Sequence, residues 1–275
     1  MNALSVMVLT GCASGIGRHL AGALSRRGHR VLATDLDERT LAARAEEDCW
    51  DKQRVRLARL DVRRAEEWEA ALDLAEKELG GMDVLMNVAG ALRPGWVQEI
   101  TPADIDLHID VNVKGTMLGT HAAAVRMVRR GAGHIVNFGS LASLAPVPGL
   151  ALYAASKFAV RGFSLAAATE LRPRGVAVTL VMPDAVQTPM LDLQVDYEQA
   201  AMTFSGPRAL TVEDIEAVVL NEVLPGRPLE VALPLSRGLL ARVANTAPGL
   251  SRVIAPVLRK KGLQKQERIK GGKPA

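Results

Sequence analysis

From Leu4 to Pro234, short apolar runs rich in β-branched residues alternate with longer segments of helical period. This is the rhythm of parallel strands joined by crossover helices. It predicts strands at Ser5–Thr10, Arg30–Thr34, Val55–Leu60, Val84–Asn87, His134–Phe138, Val176–Val181 and Leu229–Leu233. The runs Val6-Met-Val-Leu, Val84-Leu-Met and Val178-Thr-Leu-Val show no polar alternation, as expected of strands covered on both faces by helices. Seven such strands predict an α/β fold, a doubly wound parallel sheet, with ligands gathered at the carboxyl ends of its strands.

The rhythm breaks at 184–210, an irregular stretch between a strand and a helix predicted at Val212–Val223. An insertion at the carboxyl edge of a strand is where a substrate lid lies. No Ser/Gly/Pro-rich linker precedes residue 234, so 1–235 reads as one domain and 236–275 as an extension. In the extension, Leu239, Leu240 and Val243 form one apolar patch, and Leu250, Val253, Ile254, Val257 and Leu258 form another at helical spacing. Pro248-Gly249 separates the two and Pro256 is expected to kink the second. Residues 262–275 are expected to fray into disorder.

Charge sharpens this picture. The chain is +4 overall, but 236–275 carries ten Lys and Arg against one acid, Glu267, which leaves a net −5 on 1–235. The pI of about 9.3 therefore belongs to the extension, and with aromatics at only 3% nothing points to nucleic acid. Two readings of the basic amphipathic segment 236–261 stand. It lies peripherally on an anionic membrane surface, or its apolar face packs on the body or on a second subunit. Two cysteines, Cys12 and Cys49, cannot build a disulfide framework or a four-ligand zinc site, so no metal and a reducing cytoplasm are expected. Met1 to Leu9 lacks the basic start of a signal peptide, and no apolar run is long enough to span a bilayer.

Thr10-Gly11-Cys12-Ala13-Ser14-Gly15-Ile16-Gly17 follows the first predicted strand and opens a helix. Its glycines let the backbone turn tightly and leave the helix N-terminus facing a pyrophosphate. Asp35 ends the second strand, eighteen residues beyond Gly17. It either accepts hydrogen bonds from an adenosine ribose or caps the helix that starts near Asp37–Glu38. The ribose reading is favoured, and with it NAD over NADP, because a carboxylate repels a 2′-phosphate, Ser14 is neutral, and no Arg or Lys directly follows Asp35. Arg39 is the residue able to neutralise such a phosphate.

Tyr153 and Lys157 stand four apart in a helical stretch and so share a face. An ammonium beside a phenol favours the phenolate, bringing a group of ordinary pKa near 10 closer to neutrality, where it can exchange a proton with an alcohol or carbonyl. Ser140 lies just past an apolar strand, where its hydroxyl can hold the reacting oxygen. Singly, each has an ordinary structural explanation. Their order after the glycine turn changes the odds.

With these motifs the chain resembles the short-chain dehydrogenase/reductase family in its single-domain form. The matches are Thr10 to Gly17, Leu60-Asp-Val, Asn87-Val-Ala-Gly, Val111-Asn-Val-Lys-Gly-Thr, Ser140 and Tyr153-Ala-Ala-Ser-Lys, and they run from about residue 4 to 234. The resemblance implies a Rossmann fold and a catalytic tetrad of Asn112, Ser140, Tyr153 and Lys157. Tyr153 would be general acid or base, Ser140 would orient the oxygen, Lys157 would lower the tyrosine pKa and hold the nicotinamide ribose, and Asn112 would hold a water linking Lys157 to solvent. It also implies a cofactor site of Gly11, Ser14, Gly15, Ile16, Gly17 and Asp35, with Asp61 and Val62 by the adenine and Asn87, Ala89 and Gly90 on the adenosine side. For Asn87 a purely structural tie is equally favoured. Pro183, Val186 and Thr188 would meet the nicotinamide.

Two departures stand out. Asn-Val-Ala-Gly replaces the commoner Asn-Asn-Ala-Gly, and Asp184 occupies the place usually held by Gly after Pro183. Asp184 either lies near the nicotinamide and favours its oxidised, cationic form or points to solvent. Met190, Leu191, Leu193, Val195, Met202 and Phe204, facing Pro146, Val147, Pro148 and Leu150, lean toward a lipophilic alcohol or ketone of steroid, retinoid or long-chain type. The alternatives are a 3-oxoacyl-thioester ketoreductase and a catalytically idle dinucleotide-binding scaffold. Homo-oligomerisation is expected from the resemblance alone.

Overall fold

The computed structural model describes residues 4–246 and 248–271. The chain begins with β1 (Val6–Leu9), α1 (Gly15–Arg26), β2 (Arg30–Asp35), α2 (Glu38–Glu47), β3 (Val55–Arg59), α3 (Ala65–Leu79) and β4 (Val84–Asn87). There follow α4 (Pro102–Leu107), α5 (Gly115–Arg130), β5 (Gly133–Phe138), α6 (Ala151–Leu171) and β6 (Val176–Pro183). The last elements are α7 (Pro189–Asp192), α8 (Val212–Val218), α9 (Leu224–Gly226), β7 (Glu230–Leu233), α10 (Leu235–Thr246) and α11 (Pro248–Lys270).

The strands form one parallel sheet in the order β3-β2-β1-β4-β5-β6-β7. Strand order reverses direction between β1 and β4, and the crevice at that switch point is where such sheets bind ligands. Alternate residues of one strand feed two cores. Met7 and Leu9 pack with Leu20, Leu24, Leu41 and Ile215 on one face. Val6 and Val8 pack with Trp68, Leu72, Leu79 and Met127 on the other. Both faces being apolar is why the strands read as unbroken hydrophobic runs, each large buried side chain contributing roughly 1.5–3 kcal/mol.

Between α4 and α5 the helix widens into a π-helical stretch, His108–Lys114, which carries Asn112. Such bulges are frequent at functional sites because they re-aim side chains without ending the helix. Thr101 and Asp104 cap α4 reciprocally, with Pro102 at its first position.

The extension departs from expectation. α10 lies against β7 and Leu141–Ser143, while α11 lies along Glu198–Ser205. Instead of fraying from 262, α11 continues to Lys270, with Pro256 inside it, and residues 272–275 lie outside the described residues. The reason is tertiary contact that a Gly/Lys/Gln-rich composition hides. The amide of buried Gln266 donates to the carbonyls of Gln194 (3.1 Å) and Tyr197 (2.9 Å), and Lys265 Nζ donates to those of Gly206 (2.7 Å) and Pro207 (2.9 Å). Of the two readings of the extension, packing on the body is therefore realised by its inner faces.

Candidate active site

The turn after β1 is built on glycines that no other residue replaces. Gly11 and Gly15 have φ of +71° and +53°, and a Cβ on Gly11 would lie 2.9 Å from Ala89 Cα. On Gly17 it would lie 2.2 Å from the Gly11 carbonyl oxygen. Ser14 is the N-cap of α1 but its hydroxyl makes no cap bond, and the first turn has no acid. The helix thus presents uncapped N–H groups and a positive end to the cleft, which suits a phosphate anion.

The cap of α2 is Asp37, not Asp35. Asp37 accepts from Thr40 N (3.0 Å) and Thr40 Oγ1 (2.6 Å). Asp35 Oδ2 accepts from Ala13 N at 2.9 Å, which fastens the end of β2 to the glycine turn and leaves its carboxylate on the cleft wall. Asp61 also lines the cleft, but Arg63 grips both its oxygens (Nε 2.8 Å, NH2 2.7 Å) and holds its carboxyl below the usual carboxylate range. Val62 lines the cleft with its carbonyl turned inward to Trp68 Nε1 at 2.9 Å.

Along one cavity of about 600 Å³ the structure brings together Gly11, Ser14, Gly15, Ile16, Gly17, Asp35, Asp61, Val62, Ala89, Gly90, Ser140, Tyr153, Lys157, Pro183, Val186 and Thr188. Its volume is that of a small-molecule site. Asn87 and Asn112 stand behind the wall. Asn87 Nδ2 donates to Asn137 Oδ1 at 2.8 Å, tying β4 to β5, while its buried Oδ1 has no hydrogen-bond partner among the described residues. Asn112 accepts from Ala91 N (2.7 Å) and donates to Ala91 O (2.9 Å) and Ser156 Oγ (3.0 Å). These bonds fix the side-chain amide between the segment after β4 and α6.

Ser140 caps the short turn Leu141–Ser143 at the end of β5. Lys157 Nζ donates to the Phe138 carbonyl at 2.8 Å and lies 5.6 Å from the centre of the Tyr153 ring. Burial pushes the Tyr153 phenol up to about 12, with a hydrogen bond to Ser140 pulling it down. Burial likewise brings Lys157 down to about 8. At Tyr153 the cost of burying a charge outweighs the hydrogen bond to Ser140.

Sequence reasoning missed His108. It is fully buried, its Nδ1–H donates to Asp104 O (2.7 Å), its Nε2 accepts from Arg93 N (3.1 Å), and its ring meets Tyr153 edge-on at 6.5 Å. The available signal was its i, i+4 spacing from Asn112. Of the two readings of Asp184, pointing to solvent is not realised, since its side chain lines the cleft. There it forms an ion pair with Arg237 of α10. Thr188 Oγ1 donates to Val186 O at 3.1 Å, and the Thr188 methyl lies 3.1 Å from where a Gly15 Cβ would be, closing the cleft over the turn.

Of the expected apolar lid, Met190, Leu191 and Met202 line the cleft opposite Pro146, Val147 and Leu150. Leu193 is exposed, and Phe204 is buried in the body. The extension supplies the rest of the wall through Leu240, Ala241, Ala244, Ile254, Ala255 and Leu258. Among the described residues no cluster of His, Cys, Asp and Glu could hold a metal ion.

Comparison with known proteins bears on this geometry. A family model described as short chain dehydrogenase matches residues 5–198. A 3-alpha-(or 20-beta)-hydroxysteroid dehydrogenase of Mycobacterium tuberculosis is 36% identical over 188 residues, 68% of this chain and 71% of that protein. A cyclopentanol dehydrogenase of Comamonas testosteroni is 34% identical over 205 residues, 74% and 82% of the two chains. Among solved structures, a short-chain dehydrogenase/reductase from Burkholderia phymatum in complex with NAD superposes with a TM-score of 0.79 at 26% identity, covering 90% of this chain and 95% of that one.

Proposed function

The chain belongs to the short-chain dehydrogenase family and is an oxidoreductase of alcohols and carbonyls, and from that premise we propose that it uses NAD and acts on a lipophilic substrate through Tyr153. The observation that carries the reading is the convergence of Ser140, Tyr153 and Lys157 on the same cavity as the glycine turn and Asp35.

The residues fit a nicotinamide dinucleotide. The uncapped N-terminus of α1 suits the pyrophosphate, and a Cβ at Gly11 or Gly17 would close the space the backbone keeps there. Asp35 supports NAD, since a carboxylate at the end of β2 accepts ribose hydroxyls and repels a 2′-phosphate, and NADP is the less favoured cofactor. Lys157 would hold the nicotinamide ribose. The dinucleotide, when bound, supplies the hydride acceptor or donor.

In reduction Tyr153 donates its phenolic proton to the substrate oxygen while Ser140 orients that oxygen. In oxidation the same hydroxyl, once ionised, takes the alcohol proton. The Lys157 ammonium lies close enough to stabilise the phenolate. Asn112 acts one step removed: it pins Ala91 and Ser156, so the helix carrying Tyr153 keeps its distance from the segment after β4.

The apolar wall shared by 184–210 and the extension supports a lipophilic substrate, steroid, retinoid or long-chain in kind, and the hydroxysteroid and cyclopentanol activities named for the relatives agree in chemistry. Partly exposed Ile105, Ile109, Met117 and Val125 support self-association, and the outer face of the extension supports peripheral contact with an anionic membrane. No helix among the described residues is long and apolar enough to cross a membrane.

The test is titration with NAD and NADP in both redox states, then absorbance of the reduced nicotinamide with lipophilic alcohols and ketones. NAD preference with turnover falling roughly 10²–10⁴-fold in Tyr153→Phe is expected. Preference for NADP would overturn the role given to Asp35, and full activity in Tyr153→Phe the role given to the tyrosine.

A further inference from the structure

The substrate side of the cleft is mostly apolar, its polar lining being Gln194, Thr203, Ser205 and one ion pair. Asp184, directly after β6, and Arg237, in the first turn of α10, face each other with side chains only 13% and 22% exposed, and both line the cavity. Burying such a pair contributes little to stability, because the desolvation of two charges offsets their attraction, and apolar side chains of similar size serve a fold as well. Its place in a substrate wall points to recognition.

The guanidinium has capacity to spare. Its Nε faces Asp184 and its NH2 reaches Ser205 Oγ at 3.4 Å, while NH1 makes no hydrogen bond among the described residues. An arginine carries five N–H donors, and those of NH1 are not sealed inside the protein, so an acceptor on a ligand in the cleft can take them up. The carboxylate already neutralises the arginine and repels a second anion. The acceptor favoured is therefore neutral, a carbonyl or hydroxyl oxygen. It is separate from the reacting oxygen, which Ser140 and Tyr153 attend.

We propose that Arg237, held by Asp184, is a specificity-determining residue that receives a second, neutral oxygen on an otherwise apolar substrate. The proposal rests on the alcohol/carbonyl reading above, and it makes the extension part of substrate recognition. Asp184 and Arg237 lie 53 positions apart, and the pair exists only because α10 folds back over the cleft.

Oxidised NAD and a ketone cannot react, so binding can be read apart from turnover. The full-length protein, saturated with oxidised NAD, is titrated by calorimetry with a steroid monoketone and with the diketone that carries a second carbonyl on the same skeleton. The diketone is expected to bind about tenfold tighter, the scale of one hydrogen bond to a charged donor. Arg237→Met should bring the two within about twofold of each other while leaving the monoketone and NAD affinities unchanged. The double variant Asp184→Asn with Arg237→Met should do the same without stranding a buried carboxylate.

Equal affinities in the intact protein, no binding of either ketone, equal weakening of both in the variants, or an altered NAD affinity would each overturn the proposal. A diketone preference that depends on Arg237, in a protein that turns over no alcohol, would support the role of Arg237 and overturn only the activity.

Discussion

Tyr153 and Lys157 are both driven by burial toward their uncharged forms, the phenol up to about 12 and the ammonium down to about 8. Only the lysine then titrates in the working range. Below pH 8 it is an ammonium able to stabilise the phenolate left when Tyr153 gives up its proton; above, that charge is gone. The kcat/KM for ketone reduction should accordingly be highest below pH 8 and fall as pH rises through it. Lys157→Met should lower activity by roughly 10²-fold and remove that inflection. An unchanged inflection in the variant would assign the titration elsewhere. At this scale most residues the sequence pointed to line one cavity, but the sequence did not foretell which partners their side chains find. Nothing local tells Asp35 from Asp37 as the cap of α2, since both are acids near a helix start. The Asn87 Nδ2 and the Asn112 amide bond to Asn137, Ala91 and Ser156, partners brought near only by the closed sheet and the α6 helix. Asp184 finds Arg237 across the fold.

Elements were legible in proportion to how local their signal is. The central strands stood out because β1, β4, β5 and β6 are covered on both faces and mostly apolar, their buried polar residues Asn87, His134, Asn137 and Thr179 pairing across the sheet. The glycine turn stood out because positive φ at Gly11 and Gly15 and close approach at Gly17 demand that residue. α11 was not legible beyond 261, because its stability is tertiary. Gly262 shows how tight that contact is: a Cβ there would lie 1.8 Å from the Ala201 carbonyl oxygen. Gly262→Val should therefore push α11 off Glu198–Ser205, with a stability loss of about 1–3 kcal/mol typical of overpacking. Because Ile254 and Leu258 of the same helix line the cleft, KM for bulky ketones should rise while NAD affinity stays constant. Thermal unfolding and steady-state kinetics on one preparation check both. Loss of NAD affinity would mean that α11 supports the whole cleft and not its substrate side alone.

The molecule as a whole separates its charge, with net −5 on residues 1–235 and +9 on 236–275. An anionic surface would repel the body and attract the extension, orienting the protein before contact. The extension is also suited to the contact itself, because its inner residues line the cleft while Leu235, Leu239, Val243, Val253 and Val257 remain 54–70% exposed. Exposed apolar side chains beside basic ones bind an interface by burial and charge together, each basic residue near the surface contributing about 1 kcal/mol. The intact protein should therefore co-sediment with phosphatidylglycerol vesicles and not with phosphatidylcholine ones, and ~1 M salt, where the Debye length falls to about 3 Å, should release most of it. Deleting the extension would remove a wall of the cleft, so it cannot separate docking from catalysis. Leu239→Glu with Val253→Glu can, since neither side chain belongs to the cavity lining. These variants should lose vesicle binding and keep turnover of a soluble ketone, whereas an intact protein that ignores anionic vesicles at low salt would leave the exposed face with no lipid role.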